Sequence, residues 1–148
     1  MPKTKFKFLE NIATADLAFE AFGKSYNELF ENAAYALESA MVNLDSLEAS
    51  QTSDTHLSAT NLESLLFNFL NELIFLKDSE QLLFKELKCR IKITKAGKLW
   101  ELDAKLKGGK IDLKKQKLGV DVKAVTKHLF EIKKFSKGLL RCQVILDV

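Results

Sequence analysis

Apolar and polar positions change their period twice along this chain. Phe6-Lys7-Phe8 opens with an alternation of period two, which predicts a short strand. Leu17, Phe19 and Ala21 alternate with Ala18, Glu20 and Phe22 and predict a second strand ending at Gly23. The period then becomes helical. Ser25-Tyr26-Asn27-Glu28 is a capping box, in which the serine hydroxyl accepts from the Glu28 N–H and the glutamate reaches back. Leu29, Phe30, Ala33, Ala34, Leu37, Ala40 and Met41 follow at helical spacing, so a helix is predicted over 25–41. Residues 45–60 are rich in Ser, Thr, Asp and Ala and read as a connector with a frayed helical turn. Thr60-Asn61-Leu62-Glu63 is a second capping box. The broad stripe Leu62, Leu65, Leu66, Phe69, Leu70, Leu73 and Ile74 behind it predicts the most buried element of the fold.

From Phe84 the period returns to two. Leu87, Cys89, Ile91 and Ile93 alternate with Lys88, Arg90 and Lys92, and Ala96-Gly97 offers a tight turn. Leu99 to Leu106 alternates again, and Gly108-Gly109 suits a two-residue primed turn, which needs positive φ. Val120, Val122, Ala124, Thr126, His128, Phe130 and Ile132 are expected on one face of a long strand. After a turn at Lys137-Gly138, Cys142, Val144, Leu146 and Val148 face one side of the last strand, with Arg141, Gln143, Ile145 and Asp147 on the other. Two strands, two helices and a run of strands predict an α+β fold. It is expected as two layers, with both helices on a mixed, largely antiparallel sheet and the whole of 1–148 as one domain.

Composition narrows this little. Hydrophobic residues at 47% and charged residues at 29% fit an ordinary globular chain. No basic start precedes an apolar run, so no signal peptide is expected. The longest apolar stretch, Leu65 to Leu76, is broken by Asn68, Asn71 and Glu72 and is too short to span a bilayer. Cytoplasmic residence is the expectation. Cys89 and Cys142 have no metal-ligand spacing and read as small buried hydrophobes. The net charge of +3 conceals an asymmetry: residues 1–82 carry −8 (5 Lys against 13 acids) and residues 83–148 carry +11 (18 Lys and Arg against 7 acids). That leaves open a basic RNA-binding module, although a lysine-rich solvated sheet face gives the same count.

Candidate chemistry is sparse. Phosphate-loop, dinucleotide, zinc-protease and nucleophile-elbow motifs are absent. His56 falls in the polar connector, and His128 falls on an apolar strand face and reads as a core histidine. With no nucleophile beside a base, an enzymatic role is not expected. Asp16 opens the second strand and Asp147 lies on the polar face of the last one, before Val148. If those strands are neighbours, two carboxylates and the Val148 backbone oxygens converge, a hard-oxygen set suited to Ca²⁺ or Mg²⁺. Water activation by such a pair, as in a nucleotide hydrolase, would need a base that the sequence does not offer.

The chain as a whole resembles archease. The resemblance is carried by Phe8-Leu9-Glu10, Thr14-Ala15-Asp16, Glu20-Ala21-Phe22-Gly23-Lys24 and Glu28-Leu29-Phe30-Glu31-Asn32-Ala33-Ala34. It continues through Phe69-Leu70-Asn71-Glu72-Leu73-Ile74-Phe75-Leu76 and Val122-Lys123-Ala124-Val125-Thr126-Lys127-His128, and ends on Gln143-Val144-Ile145-Leu146-Asp147-Val148. It implies an accessory factor of the RtcB-type RNA ligase, a GTP- and metal-using enzyme of tRNA splicing and RNA repair. The implied role is to promote guanylylation of the ligase and keep it turning over. The resemblance also implies a divalent metal, with calcium the expected ion, held by Asp16, Asp147 and the backbone of Val148. Lys123 becomes a candidate for contacting the partner or its nucleotide phosphates. The family's Glu/Asp-His-Thr-Ala-Asp pattern is altered here: Asn11-Ile12-Ala13 follow Glu10, the histidine is missing, and the loop is two residues longer. Lys127 stands at an often aromatic position, and the C-terminal half is unusually basic.

Overall fold

The computed structural model describes residues 5–9 and 16–148. The elements run β1 (Phe6–Leu9), β2 (Asp16–Gly23), α1 (Tyr26–Met41), β3 (Gln51–Ala59), α2 (Leu62–Glu80), β4 (Leu82–Ile93), β5 (Trp100–Lys110), β6 (Ala124–Lys134) and β7 (Leu140–Asp147). The α+β class is as expected, but the strands form two sheets: β1-β2-β7-β6 and β3-β5-β4. Every strand pairing among the described residues is antiparallel, so the expected mixed single sheet is corrected.

The largest departure is β3. The stretch expected as a connector holds a 3₁₀ turn, Leu44–Ser46, and then a nine-residue strand. Its inner face carries Ser53, Thr55, Leu57 and Ala59, too small and polar to contrast with Thr52, Asp54, His56 and Ser58 outside. Pairing with β5 over the full length supplies what the local pattern lacks. Gly108-Gly109 is not a turn either; both residues lie within β5. A Cβ on Gly108 would stand 1.8 Å from the Leu83 carbonyl oxygen, so glycine there allows close approach where β4 bulges between Phe84 and Glu86. The turns at Ala96-Gly97 and Lys137-Gly138 are present, with positive φ at all four residues.

Both helices begin close to where the pattern put them. Ser25 caps α1 by accepting from the Glu28 N–H at 3.1 Å, while the Glu28 carboxylate accepts from Lys24, one residue before the cap. For α2 the cap is Asn61, accepting from Ser64, and Glu63 reaches away to the Ile132 N–H instead of closing a box. The more deeply buried helix is α1, with 9 buried residues of 16, against 7 of 19 in α2. The helices meet through stacked Phe30 and Phe69, and their apolar faces join both sheets in one core cluster. Cys89 and Cys142 are buried and unpaired within it, as expected, and burial pushes the Cys142 thiol up to about 12.

Each helix also seals the open edge of one sheet. Along α1, Asn27, Glu31, Tyr35 and Glu38 accept from the β4 N–H groups of Ile91, Cys89, Leu87 and Phe84. From Asn27 to Tyr35 each step is four helical residues, about 6 Å, against two strand residues, about 6.8 Å, so the ladders keep step; the last step, to Glu38 and Phe84, crosses the β4 bulge. These backbone groups would otherwise be a bare edge. Along α2, Glu63 and Asn71 serve Ile132 and Val125 of β6 in the same way. A polar stripe of residues 27, 31, 35 and 38 was visible in the sequence, but its partner strand was not.

Candidate metal and partner-contact site

The β2–β7 pair is in register from Asp16↔Asp147 to Gly23↔Leu140, so the two aspartates stand directly opposite at the end of the sheet. Directly paired residues project to the same face, which sets the two carboxylates side by side. Ala124 of β6 completes the row beyond Asp147 and brings only a methyl group. Asp147 is exposed, whereas Asp16 and Val148 are half-buried. The strands that the sequence left unplaced are therefore neighbours, and the two aspartates come together. The donor set is oxygen only, which fits a hard divalent cation. Among the described residues no third His, Cys, Asp or Glu side chain joins them in a metal-holding group. The altered loop at Asn11-Ile12-Ala13 lies outside the described residues.

Lys123 is tied to this end. Its backbone N–H donates to the Asp147 carbonyl at 2.8 Å, and its side chain is exposed. The segment leading to it is fixed by Lys77 of α2, which is buried. The Lys77 ammonium donates to the Asp121 carboxylate at 2.5 Å and to the Val122 carbonyl at 2.8 Å, and sits 3.0 Å from Asp78. Burial works against the charge of Lys77, but hydrogen bonds and attraction from Asp121 and Asp78 outweigh it and raise its pKa. The hydrogen bond from Lys77, then its charge, holds Asp121 below the usual carboxylate range. Sequence reasoning missed this clamp. A lone lysine at the end of an apolar stripe was the available signal.

Two further expectations are corrected. His128 is exposed, not in the core, because the β6–β7 register breaks between Thr126 and Glu131 and Leu129 takes φ 54°. The alternation read through that bulge therefore inverts. His56 lies on β3, where its Nδ1 is 2.7 Å from the Asp103 carboxylate. Lys127, at the often aromatic position, lies over the Phe67 ring at 5.1 Å. No helix among the described residues is long and apolar enough to cross a membrane.

Comparison with known proteins agrees with this fold. A family model described as the Archease protein family matches residues 6–148. A protein named archease from Pyrococcus abyssi is 36% identical over 91% of this chain and 94% of its own length. Another of that name from Methanosarcina barkeri is 31% identical over 97% of this chain and 96% of its own. The solution structure of a Methanobacterium thermoautotrophicum protein superposes with a TM-score of 0.80 at 34% identity, covering 97% of this chain and 99% of the other.

Proposed function

The chain belongs to the archease family, accessory proteins and not enzymes, and from that premise we propose that it activates an RtcB-type RNA ligase in tRNA splicing and RNA repair. In this reading it promotes guanylylation of the ligase and sustains multiple turnover in the cytoplasm. The observation that supports it best is the Asp16↔Asp147 register pair with Lys123 bonded to the Asp147 backbone. Like charges directly opposite on a sheet cost stability, and a divalent cation between them turns that cost into binding. Asp16, Asp147 and the backbone oxygens of Val148 would hold the ion, calcium by preference, with the ligase or water supplying further oxygens. The cation would fix the end of the sheet and offer positive charge beside Lys123. Lys123 would then meet the ligase or its nucleotide phosphates as a mobile point charge.

A direct RNA-binding sheet is the weaker reading. The outward rows of β4 and β5 mostly pair opposite charges, Glu86 with Lys107, Arg90 with Asp103 and Lys92 with Glu101. That is a chequerboard and not a basic platform. The deciding experiment is ligation by a purified RtcB-type ligase over several turnovers, with and without this protein. Stimulation beyond the first turnover is expected; identical progress curves would remove the proposal.

A further inference from the structure

A second like-charge pair lies elsewhere. On the outward face of the β4–β5 ladder, Lys88 stands directly opposite Lys105. Its neighbouring rows set opposite charges face to face, as described above. Asp54 of β3 follows Lys105 on its other side, one carboxylate for two ammonium groups, and forms no ion pair with it. A third like-charge pair, Lys133 and Arg141, is neutralised because Arg141 binds both Glu20 and Glu131. Lys88 and Lys105 have no such relief.

They border a cleft of about 630 Å³ between the start of α1 and the β4–β5 sheet. Lys5, Lys24 and Lys107 also line it, and Tyr35 forms part of its wall. None of these five lysines has a carboxylate within 4.0 Å among the described residues. The cleft does hold three glutamates. Two of them are occupied by backbone donors, Glu28 by the Lys24 N–H at 3.1 Å and Glu31 by the Cys89 N–H at 2.8 Å. Glu86 faces Lys107 across the ladder. Positive charge is left in excess in a concave site of ligand size.

We propose that this cleft binds a compact oligophosphate anion, which bridges Lys88 and Lys105 and draws in the surrounding lysines. Several negative charges within a few ångströms match ammonium groups that act as separate point charges. A single carboxylate would leave most of them unpaired. The site is independent of the ligase reading. It lies by Gly23 and Lys24, at the opposite end of β2 from Asp16, roughly 23 Å away at about 3.3 Å per strand residue.

The test is calorimetric titration of the full chain with sodium tripolyphosphate at roughly 0.15 M salt, where exposed charges are screened. Saturable binding is expected, weakened about tenfold or more by Lys88→Gln with Lys105→Gln, a loss of about 1.4 kcal/mol. Lys114→Gln with Lys115→Gln removes the same charge from the exposed β5–β6 loop and should leave binding unchanged. Thermal melts of both double variants check the fold. A nucleoside triphosphate binding as tightly as tripolyphosphate assigns the site to the phosphate chain alone. Tighter binding, lost with the same two lysines, adds a nucleoside contact to it. Absence of saturable binding, equal losses in both double variants, or binding of RNA without tripolyphosphate would overturn the proposal.

Discussion

The β2–β7 pair ends on Asp16 facing Asp147, and the β4–β5 pair carries Lys88 facing Lys105. Each breaks the rule that directly opposed residues on a sheet should not share a charge, and each stands where the described residues offer no ion pair to offset it. They differ in support. The acidic pair ends a central strand pairing and is buttressed from behind by the Lys77 clamp, through Asp121, Val122 and Lys123. The basic pair projects from a solvated face into a cleft, positioned by the strand register and by the α1 side chains that hold Leu87 and Cys89 on either side of Lys88. A locally unfavourable arrangement held in place by its surroundings is where function is to be sought. In the two proposals above, the acidic pair would take a cation and the basic pair a polyanion.

The register that creates the basic pair can be broken through Gly108. Gly108→Ala drives a Cβ into the Leu83 backbone and should cost roughly 3 kcal/mol, the upper range of overpacking, in denaturant unfolding. Tripolyphosphate binding should fall with it. The support of the acidic pair is broken by Lys77→Met. That leaves the Val122 carbonyl without its donor and should cost about 1–3 kcal/mol in the same measurement, with reduced stimulation of the ligase.

Glu38 offers a pH-dependent test. Its carboxyl is fully buried, with one oxygen taking the Phe84 N–H and the other unpartnered. Burial raises its pKa from 4.5 to about 8, more than the Phe84 hydrogen bond and the charge of Lys77 lower it. The folded state therefore holds this proton where the unfolded state has released it. The Glu38 contribution to stability falls as pH rises from about 4.5 to about 8 and is level above that. Glu38→Gln removes the titration, so the melting-temperature advantage of the variant should grow across that window; a constant difference would contradict the burial argument. The smallest effects should come from the pairs themselves. Asp147→Asn and Lys88→Gln each relieve one repulsion and should stabilise the ligand-free protein by about 0.2–1 kcal/mol. Calcium should raise the melting temperature of the parent protein but not of Asp147→Asn.

The sequence made some of this legible and hid the rest for identifiable reasons. Helix α1 was readable because the Ser25 cap and the apolar stripe agree. Strand β3 was not, because Ser53 and Thr55 occupy its inner face and only β5 makes it a strand. His128 was misplaced because a bulge reverses an alternation without changing composition. The acidic pair could be suspected because one residue opens a strand and the other nearly closes the chain, so strand adjacency alone brings them together. The lysine pair could not, since each lysine sits in an ordinary alternating strand. Only the β4–β5 register, set partly by a glycine that resembled a turn, shows that they face each other.

The central claim is that the Asp16–Asp147 end is the working end of the molecule. Its most direct test is the rate of ligase guanylylation in the presence of Asp147→Ala, with the melting temperature of the variant measured alongside. Asp147 is exposed and its removal relieves the repulsion from Asp16, so the fold should be retained. The predicted result is loss of stimulation with a melting temperature equal to or slightly above that of the parent. Full stimulation by a folded Asp147→Ala protein would contradict the account.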